Sequence, residues 1–397
     1  MANLARMRQA QEKVKRGLAE ARKVVVVLSA MAGETNRLLG MAEEWAASPD
    51  LAECDSLIST GEQISTALFS ILLRDGGIRA RSVLGFQVPI LTDEDYGKAR
   101  IRSIDDARLS AWLQEYDVLV VAGFQGVTDT GRVSTLGRGG SDTTAVAVAA
   151  ALKADMCEIY TDVAGVYTAD PHIVSNARKL DRITYEDMLE MASMGAKVLE
   201  IRAVEFADIY DVPVHVRSTF IDAPGTLLIR KEDITMEHIF LSGVTQSKDQ
   251  ARITLRHCPD RPGVSAGIFG PLAQAGVAVD MIVQNPSRDG VTDMTFTLPR
   301  KDLQNALAVM EEVRVKMPGM EVLYGTNVCK VSLIGVGMRN HSGVAAKAFQ
   351  TLARENINIL MISTSEIKIS CLIEEKYMEL AVRALHDAFE LGKVKRK

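Results

Sequence analysis

Between Lys23 and Ala30 the chain reads Lys-Val-Val-Val-Val-Leu-Ser-Ala. Val24 to Leu28 is an unbroken, mostly β-branched apolar run with no polar alternate. That pattern describes a strand buried on both faces, a position found in a parallel sheet covered by helices on each side. The run empties into Ser29-Ala30-Met31-Ala32-Gly33-Glu34-Thr35-Asn36, a small-residue loop rich in hydroxyls. In open α/β sheets, ligands bind at loops beyond the carboxyl ends of strands, and this loop falls there. The same alternation continues downstream. Residues 3–22 carry apolar side chains at helical spacing, and Asp55 to Leu73 reads as a helix opened by Ser59-Thr60-Gly61-Glu62-Gln63-Ile64-Ser65. Arg81 to Val88, Asp117 to Ala122, Met156 to Tyr160 and Val212 to Arg217 read as strands, and residues 185–209 as mostly helical. Residues 1–232 are therefore expected to form one doubly wound, mainly parallel α/β domain.

Thr135 to Ala149 joins a glycine-rich loop to an alanine-rich helix that runs to about Lys153. Gly137, Gly139 and Gly140 open backbone angles closed to other residues and let the chain approach a ligand. Ser141 or Asp142 is the expected N-cap. Backbone N–H groups at such a loop and helix start favour an anion, phosphate above all. Arg138 adds a bidentate fork for a carboxylate or phosphate, and Asp142 an oxygen group able to hold Mg²⁺ or orient a lysine. Alone, a glycine loop of this kind is weak information.

The remainder of the chain repeats itself at a shift of 80 residues. Asp260-Arg-Pro-Gly-Val-Ser-Ala-Gly-Ile-Phe269 lies over Asn340-His-Ser-Gly-Val-Ala-Ala-Lys-Ala-Phe349, and the register holds through Leu272/Leu352, Val277/Ile357 and Met281/Met361. Each copy has a strand before it, and after it two more strands and a closing helix, which is a small β-α-β-β-α sandwich occurring twice.

Bulk properties narrow the possible functions. The net charge is −5, and the only basic run is the terminal Lys393-Val-Lys-Arg-Lys397, a solvated tail rather than a nucleic-acid surface. No apolar run approaches the ~20 residues that span a bilayer, and the polar N-terminal helix pattern is not a signal peptide. The five cysteines stand singly, without a CxxC pair or a histidine at metal-ligand spacing, so buried free thiols in a reducing cytoplasm are expected, and no protein-bound metal cluster.

Six motifs in one order resemble the aspartate kinases of the amino-acid kinase family, which end in a pair of ACT domains. They are Ser29 to Asn36, Ser59-Thr-Gly-Glu62, Gly137-Arg-Gly-Gly-Ser-Asp142, Thr161-Asp-Val-Ala-Gly-Val-Tyr-Thr-Ala-Asp-Pro171, Gly195-Ala-Lys197-Val-Leu199 and Ile362-Ser-Thr-Ser-Glu-Ile367. The resemblance covers nearly the whole chain. It implies an amino-acid-kinase-type domain over 1–232, a ferredoxin-like ACT domain over 250–325, and a second made of 236–249 with 326–397. The implied reaction is ATP- and Mg²⁺-dependent phosphorylation of the side-chain carboxylate of L-aspartate. Such a transfer needs positioning and charge neutralisation more than covalent help, and the acceptor carboxylate is already ionised near neutral pH. The absence of a Ser-His-Asp or Cys-His set is thus consistent with it.

By the same resemblance, Arg138 grips the α-carboxylate of aspartate and Glu62 its ammonium group. Ser29 and Thr35 line the reacting end, Gly139, Gly140 and Ser141 complete the substrate loop, and Asp142 organises the catalytic lysine and metal. Thr161, Asp162, Tyr167, His172 and Lys197 are the nucleotide positions. The family usually has arginine where this chain has His172, which implies weaker or more pH-dependent ATP binding. The family also opens with a strand ending in Lys-Phe-Gly-Gly-Thr-Ser; residues 3–22 match the helix after it, so the chain as written is expected to turn over poorly. Effector contacts are implied at Asp280, Gln284 and Asn285 in the first repeat, and at Asn356, Ile357, Thr364, Ser365 and Glu366 in the second. Lysine, threonine or both are the implied inhibitors, and a homodimer or higher oligomer through the ACT domains the implied assembly. The alternatives are another amino-acid kinase with a different acceptor, and a catalytically impaired amino-acid-sensing subunit.

Overall fold

The structure, a computed structural model, describes residues 4–20, 23–196, 198–230, 240–285, 290–336 and 343–393. The chain forms two compact units. The first comprises residues 1–166, 179–192 and 197–234; the second comprises 167–178, 193–196 and 235–397.

The elements of the first unit run α1 (Leu4–Glu20), β1 (Val24–Leu28), α2 (Glu34–Trp45), α3 (Leu51–Ile58), α4 (Thr60–Asp75), β2 (Ala80–Val83), β3 (Ile90–Thr92), β4 (Ile101–Ile104), α5 (Asp106–Glu115), β5 (Val118–Ala122), β6 (Gln125–Val127), β7 (Val133–Thr135), α6 (Gly140–Leu152), β8 (Cys157–Thr161), β9 (Arg182–Thr184), α7 (Tyr185–Ser193), α8 (Ile201–Ile209), β10 (Val214–Ser218) and β11 (Thr226–Ile229). β1 and β2 both pair in parallel with β5, and β8 pairs in parallel with β10. A further four-stranded sheet has the order β4-β3-β6-β7. The valine run packs on both faces but is only half-buried at Val24 to Val27, because β1 is the end strand of the order β1-β5-β2; Leu28 alone is buried. Val24, Val26 and Leu28 join one core with Met7, Val14, Phe69 and Leu73, whereas Val25 and Val27 pack into a second with Leu109 and Val148.

Three local expectations change. The helix expected over 55–73 is two helices, because the Ser59 and Thr60 hydroxyls bond back to the carbonyls of Ser56 and Leu57 and break the ladder there. The strand expected over 81–88 stops at Val83, where the Gln87 side chain accepts the Leu84 N–H and closes a turn ahead of Pro89. The N-cap of α6 is Gly139 at φ 67°, so Ser141 and Asp142 lie inside the first turn rather than ahead of it.

The second unit contains β12 (Phe240–Pro259), α9 (Val264–Gln274), β13 (Ile282–Gln284), β14 (Val291–Pro299), α10 (Leu303–Lys316), β15 (Glu321–Val336), α11 (Gly343–Arg354), β16 (Ile359–Thr364), β17 (Lys368–Glu374) and α12 (Met378–Ala388), in one antiparallel sheet of order β13-β14-β12-β15-β17-β16. The 80-residue repeat is visible atom by atom. Val277 N–H bonds the Leu272 carbonyl and Ile357 N–H the Leu352 carbonyl, each at 2.9 Å. Just before them Gly276 and Asn356 both take left-handed φ, at 71° and 55°. Val264, Ile268 and Leu272 enter one core while Val344, Ala348 and Leu352 enter the other. The long strands β12 and β15 link the copies: Val244 to Ser247 pairs with Lys330 to Leu333, and Ile253 to Arg256 with Glu321 to Tyr324.

Candidate active site

The carboxyl ends of β1 and β5 meet the start of α6. Gly123 N–H bonds the Leu28 carbonyl at 2.9 Å. A side chain at Gly123 would meet that carbonyl at 3.0 Å and the Ser141 hydroxyl at 2.8 Å, so only glycine lets the three segments close together. Two residues past β1, Ala30 donates its N–H to Glu62 Oε1 at 2.9 Å, and the Ser65 hydroxyl donates to the Ser29 carbonyl at 2.9 Å. Gly61 permits this approach, since a Cβ there would stand 2.9 Å from that of Ala30. The structure therefore joins Ser29, Glu62 and Ser141 into one connected set. Thr35 lies in the first turn of α2, half-buried behind the left-handed Gly33.

Glu62 is 3 % exposed and its Oε2 has no hydrogen-bond partner among the described residues. Burial raises its pKa to about 7, against the pull of the Ala30 N–H. Asp142 is raised to about 6, first by burial and further by the charge of Glu200, while the Glu200 N–H bonds it and works in the opposite sense. Gly139 is left-handed, and a Cβ on it would meet Glu200 Cγ at 2.4 Å. Gly140 is equally closed by Leu136 and Phe124, both 2.9 Å from a Cβ position. Arg138, between these glycines and the rest of the loop, is exposed and has no ion-pair partner among the described residues.

Two residues that sequence reasoning missed hold this loop. Asp55 is buried and accepts from Thr135 N–H at 2.7 Å, Thr135 Oγ1 at 2.6 Å and Gly97 N–H at 2.9 Å. Arg202 donates to the carbonyls of Leu136 and Ala99, at 2.6 and 3.0 Å. Their partners lie between 42 and 103 residues away in sequence, so no local pattern marks them.

Of the nucleotide positions, Thr161 and Asp162 close β8 in the first unit, where the Thr161 hydroxyl donates to Asp162 at 3.1 Å. Tyr167 and His172 belong to the second unit; His172 is exposed and its N–H bonds Asp170 Oδ1 at 2.9 Å. Lys197 lies outside the described residues. Among the effector positions, Asp280 forms an ion pair with the buried Lys330, and Gln284 accepts from Ser265 at 3.4 Å. Asn285 is exposed and its N–H bonds the Asp293 carbonyl at 3.4 Å. Asn356 and the buried Ile357 sit at the end of α11, and Thr364, Ser365 and Glu366 form the exposed turn after β16.

Residues 1–218 match the amino acid kinase family, and residues 253–315 and 331–389 each match an ACT domain. Fold and site together thus define an α/β amino-acid-kinase domain followed by two ACT domains. The chain is 55 % identical to an aspartokinase of Pseudomonas aeruginosa over 97 % of its length and 94 % of the relative's. It is 46 % identical to one from Helicobacter pylori, covering 98 % and 97 % of the two chains. The structure of E. coli aspartokinase III in complex with aspartate and ADP superposes with a TM-score of 0.84 at 28 % identity, covering 98 % and 97 %. The chain belongs to the aspartokinases of the amino acid kinase family. It is a kinase.

Proposed function

We propose that the chain transfers the γ-phosphoryl group of ATP to the side-chain carboxylate of L-aspartate at the loops after β1 and β5, and that its ACT repeats pass lysine or threonine inhibition to that site. The observation carrying this reading is Glu62: a buried carboxyl tied through one oxygen, with the other oxygen unpartnered, at the carboxyl end of β1. A substrate ammonium group is the partner it lacks. Arg138 takes the α-carboxylate as a bidentate pair, and Gly139, Gly140 and Ser141 at the start of α6 complete the substrate loop, which the Gly140 N–H ties together by bonding the Gly137 carbonyl at 3.0 Å. Ser29 and Thr35 flank the side-chain carboxylate of aspartate, and Asp142 orders the groups around the transferring phosphate. Thr161, Asp162, Tyr167, His172 and Lys197 contact the nucleotide. A Mg²⁺ ion carried mainly on phosphate oxygens and water accompanies the ATP.

In the regulatory part, the two ACT domains span 250–325 and 236–249 with 326–397, and they dimerise the protein. E. coli aspartokinase III has been solved with lysine and aspartate, a structure 28 % identical with a TM-score of 0.70. Asp280, Gln284, Asn285, Asn356, Ile357 and the 364–366 turn supply the effector contacts here. Inhibition is a linkage effect, the effector binding the less active arrangement more tightly. The five cysteines are all free and buried, and no helix among the described residues is long and apolar enough to cross a membrane, which supports a cytoplasmic site of action.

The test is aspartate-dependent ADP release with and without lysine and threonine, run beside a chain preceded by the Lys-Phe-Gly-Gly-Thr-Ser segment. Aspartate-dependent turnover that falls with either amino acid is the expected result. Lysine or threonine binding without turnover in either chain makes this a sensing subunit instead.

A further inference from the structure

A second segment is built into the rim of the Gly137 to Gly140 loop. The turn between β3 and β4, residues 93–100, lies against it backbone to backbone. Gly97 and Gly137 both take left-handed φ, at 80° and 78°. A Cβ on Gly137 would meet the Gly97 carbonyl at 3.0 Å and Lys98 Cα at 3.5 Å. Each of the two clamps on this loop has one arm on each segment. Asp55 takes the N–H groups of Gly97 and Thr135, and Arg202 donates to the carbonyls of Ala99 and Leu136. Ala99 is fully buried, and its N–H bonds the Thr135 carbonyl at 2.9 Å. The backbone on either side of Lys98 is thus fixed to that of the loop, yet the side chain it presents is a lysine in water. Lys98 is 75 % exposed, and its one ion-pair partner among the described residues is Asp95 at 3.6 Å, itself 54 % exposed. A pair so open is worth little. The backbone bonds would serve any residue at 98, so the fastening fits a charge whose position matters.

We infer that Lys98 is a second cation of the substrate site, adding its charge to that of Arg138 at the α-carboxylate of aspartate. The inference rests on the aspartate kinase reading and extends it to a residue outside the six motifs. Lys98 begins beside Gly137, and Arg138 follows Gly137, so the two cations leave the rim from neighbouring backbone points. Arg138 is likewise exposed. Two like charges side by side repel, and an anion between them turns that cost into binding energy. The buried charges of the site, Glu62 and Asp142, are carboxyls and repel the two carboxylates of aspartate, so an anionic substrate gains from a second cation at the rim. The two side chains divide the work by their geometry. The planar fork of Arg138 fixes the orientation of the carboxylate, whereas the ammonium of Lys98 acts as a point charge on a flexible stem. Lys98 thereby favours an acceptor with a free α-carboxylate over one in which that group is an amide.

The experiment is steady-state kinetics of the full chain and of Lys98→Met and Lys98→Arg, with aspartate and with its α-amide as acceptor, beside thermal melts. Because Lys98 is exposed, both variants are expected to melt with the parent. Lys98→Met is expected to raise the KM for aspartate roughly fivefold and to leave the KM for the α-amide in place, and Lys98→Arg to stay near the parent. Equal KM values for aspartate in the parent and Lys98→Met overturn the inference. So does a rise of equal size for aspartate and the α-amide, which makes Lys98 a support of the loop rather than a partner of the carboxylate. Where there is no turnover, aspartate titrated calorimetrically into the same three chains gives the same comparison as Kd. A parent that uses aspartate while both variants match it defeats this inference alone. A parent that neither binds nor phosphorylates aspartate defeats the functional reading, and this inference with it.

Discussion

Glu62 Oε1 accepts the Ala30 N–H at 2.9 Å while its Oε2, also buried, has no partner among the described residues. A carboxylate held this way has its orientation set by the backbone that leaves β1. It also sits near its own titration point at neutral pH, because burial raises its pKa to about 7.

Aspartate binding should therefore depend on pH through Glu62. The ionised form is the one that holds an ammonium group, so the KM for aspartate should fall as pH rises from 6 to 8, and Glu62→Gln should raise KM and abolish that slope. Stability runs the other way. The folded carboxyl holds its proton up to about 7 against an ordinary 4.5, so an advantage of about 3 kcal/mol present below pH 4.5 is lost as pH rises through 7. Chemical denaturation at pH 8 should find Glu62→Gln more stable than the parent, and at pH 4 equal to it.

Asp142 should report the charge of Glu200. With its pKa at about 6, it ionises as pH rises through that value, and the acid limb of kcat should lie there. Glu200→Gln removes the like charge but keeps the backbone N–H that bonds Asp142, so the limb should move to lower pH by a fraction of a unit. Asp142→Asn should remove the limb and lower kcat by ~10²–10³-fold. A pH–rate profile of each variant checks both statements.

Gly139→Ala should damage the site more than the fold. The new Cβ would need the left-handed φ of 67° and would meet Glu200 Cγ at 2.4 Å. The strain costs about 1–2 kcal/mol, and displacing Glu200 drags the Asp142 hydrogen bond with it. A drop of about 10–100-fold in kcat/KM is expected. Steady-state kinetics beside a thermal melt separate the two effects.

His386 should make the second unit acid-sensitive. It is fully buried, its Nε2 lies 3.0 Å from the Thr168 hydroxyl, and its Nδ1 is 3.8 Å from Asp387 Oδ1, beyond hydrogen-bond reach. Burial lowers its pKa below the ordinary 6.5, with Arg178 acting in the same sense and Asp387 opposing. A depressed histidine contributes stability that is present above pH 6.5 and lost as pH falls below it. Melting temperature should drop between pH 7 and 5, with a shallower drop in His386→Gln.

The sequence by itself determined what depends on neighbours along the chain. Val24 to Leu28 is apolar at every position, so a strand that packs on both faces needs no knowledge of partners, although how deeply each valine is buried does. The glycines at 137, 139 and 140 mark a close approach wherever the loop lies, and the 80-residue repeat declares two equal modules because each must cover its own helix. Tertiary structure alone decided what arises from residues far apart. Ser59 breaks a helix whose apolar spacing runs on through it. Asp55 becomes a clamp only when Gly97 and Thr135 arrive from 42 and 80 residues away. Glu62 becomes a titrating group only when β1 and α4 exclude water from it.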